Sequence, residues 1–131
     1  MILETSFIVD LLSGDLRAVR KARDLDSRGE VVRLPAPALF ELWEGVERSA
    51  RPEVEARKVR QFAAAYEILP FTEEDAVEAG RLSGRLVKAG KTPGTVDVQL
   101  AGMAKARGEA LLTADEGLLG LSKEIRVEGY R

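Results

Sequence analysis

The chain has 131 residues, 45% of them hydrophobic, and 20 basic against 22 acidic side chains give a formal net charge of -2. That length suits one domain, residues 1–131, with a sizeable core, and the charge balance excludes a global basic field that would hold duplex nucleic acid tightly and without specificity. The absence of histidine and cysteine removes Ser-His-Asp and Cys-His nucleophile pairs, the usual zinc sites and redox dithiols. Carboxylates are left to carry any chemistry.

Met1 to Glu4 reads as a short buried strand that ends on an acid. A helical pattern follows from Phe7 to Leu12, with Thr5 or Ser6 available as its cap. Gly14 breaks it, and Asp15 to Ser27 forms the next helix, stopped by Gly29. Val31 to Leu34 is the second strand. Helices are expected from Pro35-Ala36-Pro37 to about Ser49 and from Pro52 to Tyr66, each with proline in its first turn. Ile68-Leu69-Pro70 is a short third strand. Thr72 and Asp75 form a capping pair that opens a helix to Lys88. The segment Ala89 to Gly94 is a loop, Thr95 to Arg107 is helical, and Ala110 to Thr113 is the fourth strand. Asp115 to Leu121 makes a helical turn, and Ile125-Arg126-Val127 an edge strand. Strands alternating with helices imply a mostly parallel sheet covered on both faces.

Glu4 and Asp10 interrupt the apolar N-terminus, no positive region precedes it, and no run approaches the roughly 20 apolar residues that span a bilayer. A cytoplasmic protein with no membrane contact is expected. The lack of asparagine, with two Gln and 14 Arg against 6 Lys, resembles the residue usage of thermophiles.

Most acids are ordinary solvated charges, so position must single out the exceptions. Glu4 closes one buried strand and Asp115 follows another, and in parallel sheets the crevice beyond the carboxyl ends of the strands is where ligands bind. Glu41 interrupts the apolar stretch Ala38 to Trp43. Asp97 shares a helix face with Ala101 and Ala104. Each also has a plainer role: Glu4 and Asp97 favour helix dipoles, Asp115 caps a turn, and Glu41 borders an apolar stripe. Asp10, Asp15, Glu44 and Glu116 are read as solvated or capping residues. Four carboxylates converging at one end of a sheet would repel strongly unless a divalent cation balanced them, and oxygen donors suit Mg²⁺ or Mn²⁺.

Taken in order, Ile2-Leu3-Glu4-Thr5-Ser6, Glu41 in a helix after the second strand, Asp97 before an Ala-rich helix, and Leu112-Thr113-Ala114-Asp115 resemble the PIN-domain ribonucleases. The chain is similar in particular to the toxin subunits of VapBC-type toxin-antitoxin systems, over essentially its whole length. The resemblance implies a three-layer α/β/α sandwich and an acidic quartet of Glu4, Glu41, Asp97 and Asp115 that holds Mg²⁺ or Mn²⁺. It also implies that Thr113, with Thr5 or Ser6, supplies supporting hydroxyls. The implied activity is metal-assisted endonucleolytic cleavage of RNA, with Lys91 and nearby arginines as candidates to hold the RNA backbone. The implied partners are a second copy of the chain and a small antitoxin. The first acid of this family is normally Asp, whereas here Glu4 extends the reach by one methylene. A DNA-directed nuclease or phosphatase would use the same acids, and a non-catalytic PIN-like interaction module would explain the altered first acid. A receiver-type signalling domain is disfavoured because Ile68-Leu69-Pro70 carries no acceptor Asp.

Overall fold

The apolar runs assemble into one sheet in the computed structural model, which describes residues Met1–Arg131. Its strands are β1 (Ile2–Leu3), β2 (Arg33–Pro35), β3 (Glu67–Leu69), β4 (Leu111–Leu112) and β5 (Val127–Glu128), in the order β3-β2-β1-β4-β5. Every neighbouring pair is parallel. Between them run α1 (Thr5–Leu12), α2 (Leu16–Ser27), α3 (Ala36–Arg48), α4 (Pro52–Ala64), α5 (Glu73–Lys88), α6 (Thr95–Arg107) and α7 (Glu116–Leu119). Ile2, Leu3, Leu34, Leu111 and Leu112 are almost wholly shielded from solvent, as the strands of a sheet covered on both faces must be.

The strand order positions the site. The chain winds outward from β1 through β2 to β3, then crosses back to lay β4 on the other side of β1. Right-handed crossovers in opposite directions put α1 to α4 on one face and α5 to α7 on the other, which gives the expected three layers. The winding reverses between β1 and β4, and a crevice opens at such a switch point. The register pairs Ile2 with Leu111 and Leu3 with Leu112, so the residues that follow each strand, Glu4 and Thr113, emerge side by side.

Several element ends differ from the sequence reading. Helix α1 starts at Thr5 rather than Phe7, because its cap is the Glu4 side chain, which accepts a hydrogen bond from the Ser6 N–H. Neither hydroxyl caps it, since both are turned toward tertiary partners. Strand β2 begins at Arg33 rather than Val31, whose side chain lies exposed. Strand β5 begins at Val127 rather than Ile125, because the Ile125 N–H bonds to the Leu121 carbonyl in a turn and is lost to the ladder. The capping pair at Thr72 and Asp75 forms as expected, with both reciprocal bonds present.

Helix α6 is the packed centre of its layer, with Val98, Leu100, Ala101, Met103 and Ala104 all buried. Gly102 sets its distance from α5, since a β-carbon there would stand 2.5 Å from the Ala79 backbone nitrogen. Alanine normally favours a helix over glycine by about 1 kcal/mol, but this contact involves rigid backbone and must force the helices apart. We expect Gly102→Ala to destabilise the protein by about 1–3 kcal/mol. Gly84→Ala, at a helical position with nothing within 4 Å, should instead stabilise it by about 0.5–1 kcal/mol. Urea unfolding of the two variants checks both signs.

Four aromatic side chains on α3, α4 and the segment after α4 divide unequally. Only Phe40 stands out to solvent, at 58% exposure. Trp43 is half-buried beneath the Arg60 guanidinium at 5.4 Å. Phe62 and Tyr66 pack on each other at 4.7 Å and against the core. No helix is long and apolar enough to cross a membrane.

A candidate acidic active site at the strand ends

Two carboxylates are buried in this protein, Asp75 and Glu4, and their surroundings differ in a way that separates structure from function. Asp75 meets the Arg107 guanidinium at 3.0 Å, and that arginine also donates to the Pro70 carbonyl at 3.1 Å. Its charge is compensated and ties the start of α5 to the end of α6. Glu4 has no basic partner. Its Oε1 accepts from the Thr113 hydroxyl at 2.7 Å and its Oε2 from the Ser6 N–H. Burial pushes its pKa up, against the pull of these hydrogen bonds, and the nearby Asp115 adds to the rise. An unneutralised acid at 4% exposure costs free energy that the fold must recover elsewhere, which marks it as a functional candidate.

Thr113 links the two strand ends. Its hydroxyl donates to Glu4 and accepts from the Asp115 N–H at 2.9 Å, while the Ser6 hydroxyl accepts from the Ala114 N–H at 3.1 Å. The Asp115 Oδ1 accepts from the Leu118 N–H at 2.9 Å, so Asp115 does cap α7. That role leaves its second oxygen unengaged.

Glu41 and Asp97 enter from the helices on either side. Glu41 lies on α3, and its Oε1 accepts from the Thr5 hydroxyl at 2.5 Å. Asp97 occupies the first turn of α6, behind Gly94, and accepts no hydrogen bond. Its pKa is raised to about 6, first by desolvation and then by the charges of Asp115, Glu4 and Glu41. The other three acids therefore lie near enough to Asp97 for their charges to oppose its ionisation. None of the four takes part in an ion pair, although the rest of the molecule forms many, from Arg17–Asp15 to Arg131–Asp10.

In chemistry the donor set fits a hard divalent cation: every available donor is oxygen, the charges repel, and no side chain balances them. In position the fit is looser, since no three of these acids already stand around a single point. Hydrogen bonds hold Glu4, Glu41 and Asp115, whereas Asp97 accepts none.

Of the acids set aside in the sequence, Asp15 caps α2 as expected, accepting from the Arg17 and Ala18 N–H groups. Asp10 is not simply solvated. It accepts from the Tyr130 hydroxyl at 2.6 Å and from Arg131 at 2.7 Å, clasping the end of the chain to α1. Both Thr5 and Ser6 support the site, where the sequence left a choice between them. Gly94 and Gly117, which abut Asp97 and Asp115, had no signal in the sequence beyond being glycines in loops.

A pH dependence follows from Asp97. A carboxyl whose folded pKa exceeds its unfolded value binds more protons when folded, so its contribution to stability falls as pH rises between the two values. From the ordinary 3.8 to about 6, the metal-free protein should lose on the order of 1 kcal/mol, because solvent screens a half-buried group. Thermal melts in chelator between pH 4 and 7 should show a decline to which Glu4, whose pKa is also raised, contributes, and Asp97→Asn should remove the part due to Asp97.

The PIN domain family matches residues 1–124 of the chain. A tRNA(fMet)-specific endonuclease VapC of Salmonella typhimurium is 32% identical over 92 residues, which are 70% of either chain. Among solved structures, DNA-bound VapBC from Salmonella typhimurium superposes with a TM-score of 0.87 at 24% identity, covering 99% of this chain and 97% of that one. VapBC2 from Rickettsia felis, bound to a DNA fragment from its promoter, gives a TM-score of 0.86 at 22% identity over 99% and 98%.

Proposed function

Because the chain belongs to the PIN-domain family, we propose that it is a Mg²⁺- or Mn²⁺-dependent endoribonuclease and the toxin of a toxin-antitoxin pair. The observation that carries this reading is the set of four carboxylates without a basic partner at the switch point, one of them the buried Glu4. The VapC relative, named as a tRNA(fMet)-specific endonuclease, supports RNA as the substrate class. Glu4, Asp97 and Asp115, with Glu41 opposite, would hold the cation. When bound, it offsets negative charge on the scissile phosphate and makes water a better nucleophile.

The residues divide the remaining work by their anchoring. Thr113 and the Ser6 N–H fix the Glu4 oxygens, and the Leu118 N–H fixes one oxygen of Asp115. Both carboxylates are thereby oriented before substrate arrives, which lowers the reorganisation needed in the transition state. Thr5 does the same for Glu41. Without histidine or cysteine, a carboxylate is the only side-chain acceptor for the proton of the attacking water. Of the four, Asp97 is the one that accepts no hydrogen bond from the protein, which leaves its oxygens available for the cation and for that proton.

Two apolar grooves run beside α3, one of them lined in part by Glu41. One runs along Val9, Leu42, Val46 and Val59, and an antitoxin segment seated there near Trp43 would place a basic side chain among the acids. The other surrounds the exposed Phe40 with Phe71 and Val96, and a second copy of the chain would cover it. The function is tested by incubating purified protein with labelled single-stranded RNA and DNA in Mg²⁺, Mn²⁺ or chelator. Internal cleavage of RNA only with metal supports the reading. Undiminished cleavage in chelator, or cleavage of DNA alone, overturns it.

A further inference from the structure

A second opening adjoins the acids. It is a cleft of about 380 Å³ between the α5–α6 connection and the α7 segment, floored by Leu86, Val98 and Leu121, with Lys91 at its mouth and Asp97 in its wall. Two glycines that line the cleft, Gly94 and Gly117, stand beside the carboxylates. A β-carbon at Gly94 would stand 3.0 Å from Asp97 Oδ2, and one at Gly117 would stand 3.1 Å from Asp115 Oδ1. With only hydrogen at both positions, an occupant of the cleft reaches backbone edges and lies against Asp97, with Asp115 just beyond Gly117.

The volume falls within the roughly 300–1,000 Å³ range of pockets that bind small organic groups, yet it is far too small for a base pair and its backbone. The floor is aliphatic and suits the faces of a heterocycle. The mouth has one cation, the exposed Lys91, which forms no ion pair, whereas Lys21, Lys58 and Lys105 each have a carboxylate partner. Glu116 lines the cleft as well, so an anionic group is drawn to the Lys91 side. Sequence-selective recognition of RNA works on unpaired nucleotides whose bases can be splayed out and buried.

We propose that this cleft seats one unpaired nucleotide of the RNA next to the scissile phosphate, and so selects where the chain is cut. The base lies on Leu86, Val98 and Leu121, its edge meets the backbone at Gly94 and Gly117, and the adjoining phosphate rests on Lys91. The assignment rests on the nuclease reading and adds the residues that choose the cleavage position.

The test compares wild type with Leu121→Trp, whose indole fills the cleft, with Leu121→Ala, which empties it, and with Lys91→Ala. Thermal melts first establish that each variant is folded. Binding of a labelled single-stranded RNA is read by fluorescence anisotropy in Ca²⁺, and cleavage positions are mapped in Mg²⁺ and Mn²⁺. Leu121→Trp should raise Kd about tenfold or more, in line with what a seated base contributes, and both Leu121 variants should redistribute the fragment ends. Lys91→Ala should weaken binding evenly across sequences and reduce the salt slope by about one. Wild-type Kd and fragment ends in Leu121→Trp, while wild type binds and cuts RNA, overturn the cleft alone. Failure of wild type itself to bind and cut RNA overturns the nuclease reading and the cleft together.

Discussion

Asp97→Asn should lower the rate of RNA cleavage on the order of a thousandfold or more, the scale expected when a group that meets the reacting charge is removed. The protein should nevertheless fold, and without metal it should melt higher than wild type. Asp97 accepts no hydrogen bond, and its pKa of about 6 reflects desolvation and repulsion from Asp115, Glu4 and Glu41. Removing its charge therefore relieves strain and breaks no contact. Mn²⁺ adds stability to the folded state by mass action, about 2.7 kcal/mol at a hundredfold excess over Kd, and the variant should lose much of that increment. Calorimetry with and without Mn²⁺ separates the two effects. An equal metal-dependent shift in wild type and Asp97→Asn would show that the acids do not act as one site. Asp115→Asn should be comparably inactive and still folded, because an asparagine oxygen can keep the cap to the Leu118 N–H.

The second large effect concerns Glu4, the buried acid at the end of β1 that has no basic partner. Glu4→Gln keeps the shape and removes the charge. Its amide nitrogen must face either Thr113, whose hydroxyl now donates to Glu4, or the Ser6 N–H, which needs an acceptor. Facing Thr113, the amide can donate to the second lone pair of that hydroxyl while its oxygen keeps the Ser6 N–H, so the shape is held, the anionic ligand is lost, and cleavage should fall by a factor of about a hundred to a thousand. Glu4→Asp should behave differently. Aspartate is among the preferred helix N-caps and can still accept from the start of α1, while its shorter reach retreats from Thr113. Mg²⁺ demands near-ideal octahedral geometry at about 2.0–2.1 Å. Wild type should accordingly work better with Mn²⁺, and Glu4→Asp should preserve activity or shift the preference toward Mg²⁺. Rates for both variants in each metal decide the matter. If Glu4→Gln cleaves as fast as wild type, Glu4 serves only as the cap of α1 and the site reduces to Glu41, Asp97 and Asp115.

The sequence alone determined the alternation of strands and helices, because short apolar runs and helical spacing are local properties that survive any arrangement of the whole. It also brought forward Glu4, Glu41, Asp97 and Asp115, since a charge at the end of a buried strand or inside an apolar stretch is conspicuous without coordinates. Element ends were less legible. The start of α1 moved by two residues because Thr5 and Ser6 give their side chains to Glu41 and Ala114, partners distant in the chain. Only the tertiary structure decided which buried acid is neutralised. Asp75 and Glu4 each lie at a helix start in the sequence, but folding brings Arg107 to the first and no cation to the second. The placement of β4 beside β1 is likewise a long-range outcome. Strand pairing depends on which surfaces meet once the helices have packed, and that choice sets Thr113 between Glu4 and Asp115 and puts Gly94 and Gly117 at the wall of the cleft.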